Sequence, residues 1–438
     1  MPIRCSIMPV AISGLNISKV AELDKNRLDF SLAYYSGDRK HGSIAVVRRR
    51  NGETDIRQLP LAAESGREKA LKPIFVGLAE DDHVILLDPE SKQLSLLEAF
   101  VPDAFPAHIY SDPNSNRDWF MNDGDKETGN DTLNCGDNGS SVTVVADTAS
   151  ADATYLKTIC VGRGHHQCNF SYPAEQAPQV PQQAYVSNLK DGTVSVIGND
   201  PASPESYLQV IATINLCEPE KDGFDTPQVP NNAFPHGLVY SKVSGKVYNL
   251  NNGYGTVAII DPLTHEIEQR IPLKGFSNLF ITPDGRYVIG RGADRKSDAE
   301  HVIARMAVLD VTTNEVMDSI DLPDVYISKY FFNAEGNKLY LTTSSSGSEQ
   351  QQANLKTDAV LVFDLAALPK LKLAAELRLG APVGTLDFLA REGKTALVFA
   401  SNAQEGVVTI IDGESDAVIE KLPAVEPQPH SRLWLLRS

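Results

Sequence analysis

The chain is poor in cations, cysteine and tryptophan, and each shortage excludes something. Lys plus Arg number 40 against 57 Asp plus Glu, a formal charge of −17 over 438 residues. A surface of that sign releases no counterions from polyphosphate, which excludes general nucleic-acid binding and disfavours anionic lipid. No apolar run reaches the roughly 18 residues of a membrane-spanning helix. The five cysteines (Cys5, Cys135, Cys160, Cys168, Cys217) are too few for a disulfide scaffold and odd in number. They form neither the C-x-x-C-H of covalent haem nor the paired C-x-x-C of structural zinc. G-x-S-x-G and a phosphate loop opening a helix are also missing. The first residues, MPIRCSIMPVAISGLNISKV, lack the apolar core of a signal peptide. A cytoplasmic protein is therefore expected, although a periplasmic or secreted one whose leader had been removed would read the same.

What is present is a repeat. An apolar, β-branched strand, a polar turn and a second alternating strand recur eight times, as in HVILLDPESKQLSLLEAF from His83 and TVAIIDPLTHEIEQRIPL from Thr256. The fullest unit, His236 to Leu273, contains four short strands with Gly, Asn, Asp and Pro at the joints. Four-stranded antiparallel units returning roughly every 50 residues predict a β-propeller, whose blades bury their faces on one another. The C-terminal PHSRLWLLRS supplies one strand, and DFSLAYYSG, SIAVVRR and DIRQLPL near the start supply three. Pairing them in one blade would close the ring and remove the open edge. The expectation is a single all-β domain over residues 1–438 with eight blades. Seven is the alternative, because the unit from Ala62 to Pro102 shows no obvious first strand.

VSNLKDGTVSVIGND, NNGYGTVAIIDPLTHEIEQRI and FITPDGRYVIG resemble the YVTN-type repeat of bacterial surface and periplasmic propellers. They also resemble the eight-bladed haem d1 propeller of cytochrome cd1 nitrite reductase. The resemblance covers roughly residues 180 to 425 and implies architecture. Members of this superfamily bind haem d1, carry copper oxidoreductase sites, hydrolyse lactones or act as scaffolds, so fold alone assigns no chemistry.

Histidines fall in phase with the repeat. His108, His236 and His430 each stand at the start of a first strand, and His166 takes the same phase with His165 beside it. First strands line the axis of a propeller, so these rings are expected at one mouth of the channel. Three or four imidazoles there would make a site for copper, iron or zinc with a position open to a small substrate. Thiols at Cys160 and Cys168 would favour copper or zinc. A haem d1-like cofactor is implied only by the resemblance. In the metal-dependent reading, possibly an oxidoreductase, His108, His166, His236 and His430 are the ligands and His165 is an acid/base group. Arg117, Trp119 and Asn122 on the neighbouring strand would hold an anion or a flat ligand beside the rings. Two further readings stay open. The histidines act as acid/base groups of a metal-free lyase or lactone-type hydrolase, or they hydrogen-bond adjacent loops in a scaffold that binds a protein partner. The separating feature is geometric: ligands share one centre, whereas a structural ring bonds a backbone carbonyl of the next blade.

Other features are less specific. Asp123, Asp125, Asp131 and Asp137 lie in an acidic insertion whose spacing departs from the EF-hand loop. The Pro-rich stretch from Glu218 to Pro235 leads into His236 and reads as a lid. Ser344 to Asp358 reads as a solvated polar loop, and Arg291, Arg295 and Arg305 as loop cations in reach of an anion. His41, His83, His265 and His301 are expected in turns or insertions.

Overall fold

The computed structural model describes residues 28–37, 42–60, 106–122, 135, 140–147, 154–164, 167–427 and 430–435, with the strand backbones at 74–78, 83–87 and 94–97. Seven of its sheets have four antiparallel strands, and an eighth, formed by Ile74–Leu78, His83–Leu87 and Leu94–Leu97, has three. Taken in chain order, the four-stranded sheets follow the repeat units and are consistent with the blades of a propeller, and, with the three-stranded sheet as the second, they are numbered as blades below.

Burial explains why the strands differ in composition. In the third and fourth blades, Arg117–Asn122, Gln183–Asn188 and Thr193–Gly198 are buried at every position. Near-continuous apolar runs suit strands covered on both faces. Fourth strands such as Ile267–Pro272 are mostly exposed, which is where the alternation of polar residues falls. Buried clusters sit between blades rather than at one centre. Trp119 and Val144 of the third blade, for example, pack with Phe170 and Val186 of the fourth.

The first strand of a blade is an edge, and four neighbouring pairs of first strands touch: Cys168–Ser171 with Pro235–Ser241, Pro235–Ser241 with Asn278–Ile281, Ile327–Phe332 with Val383–Arg391, and Val383–Arg391 with His430–Leu435. Pro106–Ser111 is the other first strand among the described residues. His430–Leu435 pairs antiparallel with Phe30–Gly37, from Leu32 opposite Leu435 to Gly37 opposite His430. Two side chains stitch that edge to the eighth blade. Thr385 Oγ1 accepts from the Leu433 amide at 2.8 Å, and Asp387 Oδ2 from the Leu435 amide at 2.6 Å. The matching two-residue steps show that both strands run in the same direction. Bonds to a carboxylate are the stronger kind, so Asp387→Ala is expected to cost about 2 kcal/mol, read as a lowered midpoint in urea at unchanged slope.

Four blades share one irregularity. The register slips between Pro106 and His108, Pro235 and Leu238, Ile327 and Lys329, and Val383 and Leu386. Each slip lies at the beginning of a first strand, hence at the same mouth. A bulge re-aims the side chain it contains. His108, His236 and Lys329 all stand in these bulges.

Candidate functional site

His236 opens the fifth blade. Its Nδ1 lies 2.8 Å from the Ser277 carbonyl, at the entry to the sixth. A carbonyl accepts, so Nδ1 carries the proton and Nε2 is left as the basic nitrogen. The next residue, Gly237, has φ +154°, and a Cβ there would come within 2.7 Å of the Leu279 amide nitrogen. This close approach of two first strands fixes the histidine's place. Gly237→Ala is expected to cost about 1–3 kcal/mol through overpacking, measured by thermal unfolding.

Beyond His236 the mouth is cationic. Arg291, on Tyr287–Asp294, donates from Nη1 to the Ile327 carbonyl at 2.7 Å, and its buried Nε meets no acceptor among the described residues. Lys329 Nζ donates to the Gly384 carbonyl at 2.8 Å, across the boundary between the seventh and eighth blades. Burial first, and the positive charge of Arg432 second, lower the Lys329 pKa to about 8. Burial likewise lowers that of Arg432, which nevertheless keeps solvent contact. Gly384 repeats the close approach seen at Gly237: a Cβ there would meet the Ser431 carbonyl oxygen at 2.3 Å. Sixth, seventh and first blades thus each bring a cation to the level of His236.

Among the described residues the histidines form no single metal centre. His108 is half-buried on its bulge in the third blade, with its ring 6.3 Å from that of Tyr110. His236 makes the carbonyl contact to the next blade that was expected of a structural ring. His430 opens the C-terminal strand, where only its backbone is described, and His165 and His166 lie outside the described residues. No group of three or more His, Cys, Asp or Glu within reach of one ion occurs among the described residues. The expected thiols need correction. Cys160 forms a disulfide with Cys135, and burial pushes the Cys168 thiol pKa well up, so neither offers a ready thiolate.

Arg117, Trp119 and Asn122 are in the third blade as expected, but not beside His108. Arg117 is at the opposite end of the blade. Its guanidinium bonds Ser115, Asp112, Tyr207 and the Asn199 carbonyl, and stacks over the Tyr207 ring. It latches the third blade to the fourth. Trp119 is wholly buried and packs edge-on to Phe170 at 5.5 Å. Asn122 donates to Ser141 and Thr143, just as Asn188 donates to Thr193 and Ser195 one blade on. That asparagine belongs to the repeat.

The loop into His236 is fastened. Asn231 Nδ2 donates to the Gly192 carbonyl and Asn215, and Tyr254 donates to Asp222 at 2.5 Å. Ser344 to Asp358 contains a capped helical turn, Glu349–Gln352, whose buried Gln351 bonds three carbonyls of the sixth blade's loop. His265 is half-buried against Gln183, and His301 pairs with Asp324 at 2.7 Å. His83 opens a strand, while His41 and the four insertion aspartates lie outside the described residues. Sequence reasoning missed Lys329 and Arg432. The signal was one cation inside each of two otherwise apolar first strands, ISKYFF and HSRLWL.

No protein-family profile and no curated sequence matches the chain. Solved structures do. One is the periplasmic gluconolactonase PpgL of Pseudomonas aeruginosa, at 14% identity, 94% of this chain, 99% of that one and a TM-score of 0.55. The fold is a β-propeller. Apo AztD of Citrobacter koseri superposes over 93% of this propeller and 98% of its own chain, at 13% identity and a TM-score of 0.52. The dihydro-heme d1 dehydrogenase NirN, in complex with DHE, matches 84% of this chain and 66% of its own, at 13% identity and a TM-score of 0.55. At such identities the propeller shares architecture with these proteins, as its repeat motifs implied, and chemistry must be argued from its own residues.

Proposed function

We propose that this propeller is a metal-free hydrolase of lactone type, acting on a small anionic substrate at the channel mouth that holds His236. The observation that carries the reading is the convergence of cations of two different blades in a chain of charge −17, Lys329 bonded to the Gly384 carbonyl and Arg432 next to the Ser431 carbonyl that Gly384 approaches. Enclosing two cations together is costly unless an anion offsets them. Water attacks the lactone carbonyl carbon while His236 Nε2 takes its proton. Lys329, Arg432 and Arg291 oppose the oxyanion and the substrate's own negative charge. The ring C–O bond then breaks, and the imidazolium returns the proton to the leaving alkoxide, giving a hydroxy acid. The printed name of PpgL supports the substrate class. Glucono-1,5-lactone opening, followed by acid release at constant pH, is the direct test. Turnover lost in His236→Ala supports the reading, whereas equal rates in both proteins overturn it.

A second reading rests on the likeness to NirN: the same cations and His236 would hold a haem d1-like tetrapyrrole, the cations pairing with its carboxylates. Such a cofactor would supply redox chemistry when bound. Visible absorbance of protein purified from a producing organism separates the two. The eight sheets are read as one ring of eight blades, a single domain closed by the strand at His430–Leu435. The Cys135–Cys160 disulfide and the periplasmic PpgL favour an exported protein, because disulfides persist in oxidising compartments. No helix of the described residues is long and apolar enough to cross a membrane.

A further inference from the structure

First strands end at the opposite mouth, and a cavity of about 640 Å³ opens there where the chain's two ends meet. Its size falls within the range of small-molecule sites. Phe30 is buried in its wall, and Phe332 and Phe388 of the seventh and eighth blades are half-buried. Two exposed arginines, Arg50 and Arg391, stand on the rim. Among the described residues neither has a carboxylate partner. Arg50 donates to the Phe30 and Arg49 carbonyls and the Ser31 hydroxyl, and Arg391 to the Asp29 carbonyl. The two acids of the cavity are engaged elsewhere. Asp29 accepts from the Asn51 amide, and Asp387 from the Phe388 and Leu435 amides. Guanidiniums held by carbonyls keep their remaining N–H donors for a planar anion. In a strongly acidic chain, two such groups over phenylalanine rings specify a ligand rather than a surface pair.

We infer that this cavity is a second binding site, distinct from the His236 mouth, for an aromatic carboxylate. The ring lies against Phe332 and Phe388, and the carboxylate meets Arg391 and Arg50. The site straddles Asp29–Ser31, the eighth blade and Leu435, so an occupant bridges the seam between the first and eighth blades and stabilises it by linkage.

Calorimetric titration of the whole chain with 2-naphthoate at low salt is the test. One saturable site is expected, about tenfold weaker for uncharged 2-naphthamide and about tenfold weaker in Arg391→Met or Arg50→Met. Lys329→Met at the other mouth should leave it unchanged. Protection of Arg391 and Arg50 in the wild-type protein from phenylglyoxal by 2-naphthoate gives a readout that needs no variant. Absence of binding, binding indifferent to both arginines, or binding lost in Lys329→Met would overturn the inference. The last outcome assigns the anion to the His236 mouth, so this proposal fails separately from the hydrolase reading.

Discussion

Lys329→Met is expected to weaken binding of gluconate, the product anion of the proposed reaction, on the order of 100-fold while raising the melting temperature at pH 7. The two effects have one cause. Burial between the blades, and then the charge of Arg432, lower the Lys329 pKa to about 8 from its ordinary 10.5. Below pH 8 the ammonium is charged in both folded and unfolded chains, and the native state bears the full cost of enclosing it. Between pH 8 and about 10.5 the unfolded lysine still binds a proton that the folded one has lost. Wild-type stability therefore rises with pH across that window. Anion binding moves the opposite way and fades as pH climbs through 8. Methionine fills the space without the charge, so it gains stability and loses the ligand, the exchange expected of a functional site. Lys329→Arg should keep binding above pH 8, because a guanidinium stays protonated there. Calorimetric titrations at pH 7 and 9.5, with thermal melts at both, check all three statements.

Removing the third blade's disulfide is expected to cost about 3 kcal/mol. Cys160 ends the outer strand Thr154–Cys160, and its partner Cys135 lies 25 residues earlier, before the third strand of the same blade begins. The bond closes a loop that contains the third strand, Ser141–Ala146, and the turn into the fourth, so it constrains that loop in the unfolded chain. Cys135→Ser and Cys160→Ser should lower the urea midpoint equally. The double variant should be no worse than either single one, because the same bond is lost. Reduction of the wild-type protein should reproduce the shift. A larger loss in the double variant would show that the cysteines act independently.

Much of the fold was legible because its determinants are local. Alternation, turn residues and the eightfold return of the hairpin mark the strands, and the lone C-terminal strand paired where the repeat required. The unit from Ala62 to Pro102, whose first strand was not obvious from the sequence, has three strands among the described residues, and Ile74–Leu78 stands in the second place before the hairpin. The site was only half legible. Phase along the first strand put His108 and His236 at the starts of first strands, where the structure has bulges. Phase does not report which way a bulge turns its side chain, and His236 faces the Ser277 carbonyl. Arg117 was misread for a different reason: a neighbouring strand runs antiparallel, so its first residue lies at the far end of the blade. Lys329 and Arg432 carry no motif at all. Their importance comes from the burial and mutual charge that only the assembled blades create, and the Cys135–Cys160 pairing likewise needed three-dimensional proximity.

The central claim is that the His236 mouth holds a small anion through cations of several blades. Its most direct test is calorimetric titration of gluconate into wild-type, Lys329→Met and Arg432→Met proteins at pH 7 and low ionic strength. The account predicts one site per wild-type chain, weakened in both variants while each remains folded. Equal binding by all three proteins, or none by the wild type, would contradict it.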